Sequence, residues 1–296
     1  MPDDAWRSEG AARDAAEERS LLAHPPVPPD ATASYGDHPD QVVDFYAPHP
    51  GPAEGPVPLV VLLHGGAWRA PYDRRHLSPF AALLARRGFA VANVEYRRGR
   101  PLPEPGGTAP AGRWPETFDD VAAACDALPE LAAAALPAAD PGRTVLAGHS
   151  AGGHLALWAA ARHVLPADSP WHIRRPPALR GVVALAPIAD FRTAEELGVC
   201  SGAAGQLLGG PGQFEARLPY ADPVALLPTG IATTVVQGRL DTEVPCEVAL
   251  AFADAAARAG ELPGLTLLDG TGHYPLIDPS SDASATAAEE IAQLAW

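Results

Sequence analysis

Residues 144–163 read TVLAGHSAGGHLALWAAARH. TVLAG (144–148) reads as a strand and AGGHLALWAAARH (151–163) as a helix, so the chain turns from one to the other at His149 and Ser150. Gly148-His149-Ser150-Ala151-Gly152 fits G-x-S-x-G, a pattern in which a serine is held in strained geometry on a tight strand-to-helix turn. The glycines have a physical job there, because positions without side chains let backbone and ligand approach closely. The context carries more weight than the pattern, since the serine stands directly after the strand TVLAG and directly before a helix.

Outward from that turn the same alternation repeats. QVVDFYAP (41–48) alternates like a strand, and after a Pro/Gly-rich turn PLVVLLHG (58–65) is a continuous apolar run of the kind found in strands covered on both faces. Ser78-Pro79 reads as an N-cap followed by proline at the first helical position, with AALLARR as the apolar face and Gly88 as the stop. FAVANVEY (89–96), GVVALAP (181–187), ATTVVQG (232–238) and LTLLD (265–269) read as further strands. Helices are expected over 114–128, from Val244 to Ala259 and from about Ser281. Strands alternating with helices of this length predict an α/β fold with a mostly parallel sheet and helices on both faces.

Two segments break the rhythm. Residues 1–40 are charge-rich, then proline-rich, and read either as a solvated tail or as a cap over the mouth of the catalytic domain at 41–296. Residues 190–230 are rich in Gly and Pro and too long for a simple connection, which predicts a lid-like insertion.

The chain has 296 residues, of which 47% are apolar and 19% charged, the composition of a folded globular protein. Its 21 basic and 36 acidic residues sum to −15, and every basic residue is arginine. That field disfavours nucleic acid and anionic lipid as partners, and the absence of lysine removes Schiff-base chemistry. Cys125, Cys200 and Cys246 are widely spaced and show no metal-ligand pattern, so no metal is expected. No stretch has a signal-peptide core or the roughly 18 apolar residues of a spanning helix, and a cytoplasmic protein is expected.

Acyl transfer through a serine needs three further parts. Backbone N–H groups must face the developing oxyanion, and the turn His64-Gly65-Gly66-Ala67-Trp68 at the end of PLVVLLHG offers Gly65, Gly66 and Ala67, with Ala151 after the serine as the second donor. A carboxylate must orient the base. Asp241, just past ATTVVQG, has the right strand-end position, with Glu243 as its rival. The base should follow the acid, and His273 in the Gly-rich loop after LTLLD does so. His149 and His154 flank the serine and read as packing or supporting residues, His149 near enough to touch a substrate. Trp68, Tyr72, Leu207, Leu208 and Tyr220 read either as pocket walls or as core.

Taken together these stretches resemble the α/β-hydrolase superfamily from about Tyr35 to Trp296. HGGAW (64–68), GHSAGGHLALW (148–158), VEYR (94–97), WPETFDDV (114–121), GRLDTEVP (238–245) and GTGHYPL (270–276) more narrowly resemble the kynurenine formamidase and hormone-sensitive-lipase-like carboxylesterase branch. Ala67 and Trp68 depart from the His-Gly-Gly-Gly of the lipase-like esterases and look more like arylformamidases, although bacterial acetyl and feruloyl esterase-like proteins share that variant. The resemblance implies a sheet of about eight strands, no cofactor, and hydrolysis of a small ester or activated amide through an acyl-enzyme. In that scheme Ser150 attacks, His273 moves the proton, Asp241 orients His273, and Gly65, Gly66 and Ala151 bind the oxyanion. Acyl transfer to another nucleophile and a non-catalytic ligand-binding role are the alternatives.

Overall fold

The computed structural model describes residues 2–49, 55–100 and 110–296. Its centre is one eight-stranded sheet in the order β1-β2-β4-β3-β5-β6-β7-β8. The strands are β1 (Ala31–Ser34), β2 (Val42–Tyr46), β3 (Val57–Leu63), β4 (Ala90–Val94), β5 (Ala139–His149), β6 (Gly181–Leu185), β7 (Thr233–Gly238) and β8 (Gly264–Leu268). β2 runs antiparallel to β1 and β4, and the ladder from β4 through β8 is parallel. The mostly parallel α/β sheet expected from the alternation is therefore present.

β3 explains the continuous apolar run. All seven of its residues are buried, with Leu59, Val61 and Leu63 packed in one core and Val60 and Leu62 in the other. The first core takes α3 (Glu116–Ala135), α4 (Ala151–Ala160) and α8 (Cys246–Arg258), through Phe118, Trp158 and Phe252 among others. The second takes α2 (Ser78–Arg86) and α9 (Asp282–Ala295), through Phe80, Leu84 and Ile291. A strand clamped this way has no polar face, which is why it does not alternate.

Some boundaries moved. Ser78 does not cap α2: a 3-10 turn over Arg74–Leu77 runs straight into it, Leu77 takes the N-cap position, and the Ser78 hydroxyl donates back to the Arg75 carbonyl at 2.6 Å. Gly88 is the stop it was expected to be, with φ +92°. β5 starts earlier than 144 because Pro58 pairs with Asp140 and Leu59 with Thr144, leaving 141–143 as a bulge. The Pro/Gly-rich turn between β2 and β3 lies partly outside the described residues.

Residues 1–40 are not separate from the sheet. Ala31–Ser34 form its edge strand, and α1 (Pro2–Ala23) precedes them. Residues 190–230 fold into α5 (Phe191–Glu196), α6 (Ala203–Leu207) and α7 (Pro211–Ala221), with 3-10 turns at Val199–Ser201 and Pro223–Leu226.

Candidate active site

Ser150 sits between the last residue of β5 and the first of α4, with φ 56° and ψ −118°. A non-glycine residue adopts that backbone only when its surroundings over-determine it. Here they do: the Ser150 N–H donates to the Leu185 carbonyl at 2.8 Å, and its carbonyl accepts the His154 N–H at 3.1 Å. Close approach explains Gly152, where a Cβ would lie 2.0 Å from the Leu63 carbonyl oxygen. The first turn of α4 thus rests against the end of β3, and the His64–Trp68 turn reaches the serine. A Cβ on Gly65 would stand 3.2 Å from Ser150 Cβ. Left-handed backbone at Gly66, Ala67 and Trp68 curls that turn. As the first residue of α4, Ala151 has an N–H with no acceptor inside its own helix, at the positive end of the helix dipole. Gly65 and Ala151 thus adjoin Ser150, and Gly66 and Ala67 line the cavity it opens on.

One buried carboxylate holds the turn. Glu95, just past β4, lies 2.9 Å from His64 Nε2, accepts the Arg74 N–H at 3.0 Å and pairs with the Arg98 guanidinium at 2.6 Å. Burial works to raise its pKa, but His64, Arg98 and the Arg74 N–H together pull it down to about 2. Tyr96 stacks on the His64 ring and donates its hydroxyl to the His64 carbonyl at 2.6 Å. His64 is a structural residue of the turn.

Asp241 and His273 stand at neighbouring strand ends. Asp241, past β7, and His273, past β8, meet through His273 Nδ1 and Asp241 Oδ2 at 2.7 Å, both buried. Asp241 is itself fixed, since Oδ2 also accepts from Gln237 Nε2 at 3.0 Å and Oδ1 accepts the Val244 N–H at 2.8 Å. Burial pushes the His273 pKa down, yet the charge and hydrogen bond of Asp241, with Glu243 and Asp14 adding, carry it above its ordinary value. His149 supports the base from below. Its Nε2–H donates to the His273 carbonyl at 3.0 Å, and burial, aided by His273, holds its pKa well below the ordinary range. That ring stays neutral.

Ser150, His149 and His273 open on one cavity of about 290 Å³. Tyr72 lines it as expected, its hydroxyl donating to Glu18 of α1. Trp68 and Tyr220 do not. Trp68 is fully buried beneath the turn between His154 and Phe191, and Tyr220 points its hydroxyl to Asp168 at 3.2 Å on the surface. Leu207 and Leu208 are core residues, Leu207 packed on Gly112. The walls missed in the sequence include Glu18, Leu21 and Leu22 from α1, Cys200 and Ser201 from the insertion, and Arg69, His76, Tyr274 and Ile277. Among the described residues no three His, Cys, Asp or Glu side chains stand together as a metal site requires, and no helix is long and apolar enough to cross a membrane.

A parallel sheet with a serine at the turn after its fifth strand, and an acid and a histidine at later strand ends, defines an α/β-hydrolase. The BD-FAE family pattern matches residues 43–255, and the chain belongs to that family. It is 26% identical over 254 residues to isoprenylcysteine alpha-carbonyl methylesterase of Arabidopsis thaliana, covering 82% of this chain and 56% of that one. It is 32% identical over 129 residues to esterase LipC of Mycobacterium tuberculosis, 42% of this chain and 28% of the other. The chain spans only about half the length of the Arabidopsis relative, 56%. Among solved structures, esterase B of Lactobacillus rhamnosis superposes with a TM-score of 0.73 at 20% identity, covering 99% of this chain and 96% of that chain. A truncated carbohydrate esterase from gut microbiota gives 0.73 at 18% identity, with 92% and 99% covered. These structures share the fold.

Proposed function

We propose that the protein is a serine hydrolase of small carboxylic esters, with Ser150 as nucleophile, His273 as base and Asp241 as orienting acid. The observation that carries this is the 2.7 Å contact between His273 Nδ1 and Asp241 Oδ2, made by the histidine that shares a cavity with Ser150. With Asp241 accepting from Nδ1, the Nε2 lone pair is free to take the Ser150 proton as Oγ attacks the ester carbonyl. Charge then develops on the carbonyl oxygen, where the N–H groups of Ala151 and of Gly65, Gly66 or Ala67 stabilise it. Collapse expels the alcohol, protonated by the His273 imidazolium, and leaves an acyl-serine. Water, deprotonated by His273, repeats the sequence and releases the acid.

The size of the cavity supports short acyl groups, and Leu21, Leu22 and Ile277 give it apolar walls. The esterase names of the relatives support an ester over an amide. Trp68, one residue of the HGGAW turn that looks like arylformamidases, is packed beneath the site and does not line the cavity. In this reading α1 acts as a cap and the 190–230 insertion contributes one wall.

The test is turnover of p-nitrophenyl acetate and butyrate by the wild type and by Ser150→Ala, with fluorophosphonate labelling of each. The variant should lose label and keep only what the oxyanion donors and binding supply, on the order of 10³–10⁴ over water. Unchanged turnover in a contamination-controlled sample overturns the reading.

A further inference from the structure

Gln237 lies near the end of β7, two residues past the core residue Val235, and is fully buried at 0% exposure. A polar side chain in such a place is costly unless its polar atoms are paired. Here the amide is paired at one end only. Its Nε2 meets three oxygens, Asp241 Oδ2 at 3.0 Å, the Val244 carbonyl at 3.1 Å and the Gly238 carbonyl at 3.2 Å. Those oxygens decide which way the amide faces, because turning Oε1 toward them would set one acceptor against three others. Oε1 is left buried, with no partner among the described residues. A methionine of similar length would fill the same space without that cost, so the donor is what glutamine contributes there.

What that donor does follows from how Asp241 and His273 are held. Their separation is set by backbone: a Cβ on Gly238 would collide with the Thr271 and Gly272 carbonyl oxygens, and the Leu240 N–H donates to the Thr271 carbonyl at 2.9 Å. The loop before His273 is thus seated on the end of β7. Backbone contact leaves the rotation of the Asp241 side chain open. The Val244 N–H holds Oδ1 at 2.8 Å, and alone it is a pivot about which the carboxylate swings. Gln237 Nε2 holds Oδ2, the oxygen that also accepts from His273 Nδ1 at 2.7 Å. With one anchor on each oxygen, the plane of the carboxylate is set. The same nitrogen ties the Val244 carbonyl, so it also steadies the residue that supplies the other anchor.

We propose that Gln237 is a positioning residue of the reaction, which aims Asp241 Oδ2 at His273 and acts on catalysis only through that oxygen. It does not line the cavity that holds Ser150 and His273, so it touches no substrate there. The inference rests on the serine-hydrolase reading of that cavity and leaves the order of chemical steps unchanged.

The experiment is a double-mutant cycle on p-nitrophenyl acetate with Gln237→Met, Asp241→Asn and the two combined. Gln237→Met should lower kcat roughly 10- to 100-fold, as expected of a misaimed base, and leave KM within about twofold. In the Asp241→Asn background the same change should cost less than about twofold, because the carboxylate it served is already gone. Equal losses in the two backgrounds, or a loss confined to KM, overturn the proposal. Gln237→Asn keeps the amide but draws it back by one methylene, and it carries the same cycle should Gln237→Met fail to fold; wild-type kcat in Gln237→Asn overturns the proposal as well. A readout free of turnover is the downfield proton resonance of His273 Nδ1–H, which should move upfield in the folded Gln237 variants. An unmoved resonance contradicts the proposal independently. Ser150→Ala separates the two levels: if it still hydrolyses the ester, the catalytic reading fails; if it is inactive while the Gln237 and Asp241 losses simply add, only the positioning assignment fails.

Discussion

Glu17 accepts the backbone N–H of Gly272, the residue before His273, at 3.2 Å. Two more acids of α1 make comparable contacts: Asp14 takes the Thr242 hydroxyl beside Asp241, and Glu18 takes the Tyr72 hydroxyl. Further along, Ser20 and His24 reach Asp278 at 2.7 and 2.9 Å. The helix is thus fastened to the loops that carry Asp241 and His273.

If α1 is the cap of this pocket, removing residues 1–24 should widen what it accepts. The kcat/KM for p-nitrophenyl octanoate relative to the butyrate should rise roughly tenfold, about 1.4 kcal/mol of differential binding. The melting temperature should fall with the loss of buried Leu21. A constant ratio would make α1 a bystander.

Asp241→Asn should preserve the fold and lower kcat by about 10²–10⁴, because an amide in place of the carboxylate favours the wrong imidazole tautomer and cannot stabilise the imidazolium. Steady-state kinetics with p-nitrophenyl acetate, alongside a thermal melt, separates this from simple destabilisation. A loss of less than about threefold would remove Asp241 from its assigned role.

The pH profile follows from His273. The base works only when neutral, and its pKa is raised above the ordinary 6.5. Activity should therefore fall as pH drops through a value above 6.5 and be full on the alkaline side. The stability linkage has the opposite sense: a raised folded pKa adds stability that is complete below 6.5 and is lost as pH rises through the folded value. An acid limb centred below 6.5 in kcat/KM would contradict the assignment.

Glu95→Ala should cost about 3–5 kcal/mol in denaturant unfolding, since it leaves the buried His64 and the Arg98 and Arg74 contacts without their shared acceptor. The Glu95 pKa is lowered from 4.5 to about 2, so its contribution is present above pH 4.5 and is lost as pH falls toward 2. Wild type should lose that stability over this window, and the variant should show a flatter acid dependence.

Gly152→Ala should be among the most damaging single-methyl changes, above roughly 4 kcal/mol or unable to fold, because the added carbon meets the Leu63 carbonyl oxygen at 2.0 Å and that of His64 at 2.4 Å. Gly212, whose Cβ would meet nothing, is the control. Equal stability of the two variants would refute the close packing of α4 on β3.

The strands and their helices were legible because burial on two faces leaves a plain signature, as in PLVVLLHG, and Ser150, Asp241 and His273 could be picked out because each follows a strand. The pocket walls were not legible. Trp68 and Tyr220 have the chemistry of a wall, but the way α4 and the insertion pack sends the first inward and the second outward. Nothing local distinguishes Glu18 from the other acids of α1; its place depends on how a helix from the start of the chain crosses the strand ends. β1 was hidden for a similar reason, since ATAS has neither length nor alternation and is a strand only because β2 offers it an edge.

Trp296, two-thirds exposed at 67%, lies against Arg143, near the start of the strand whose far end carries Ser150. Trp296 and Ser150 therefore belong to opposite poles of the molecule, whereas α1 lies across the pole that carries the serine. Tethered to a bead or an electrode through its final residue, the protein would present an open mouth to the solution. Tethered through its first residues, it would hold that mouth against the support.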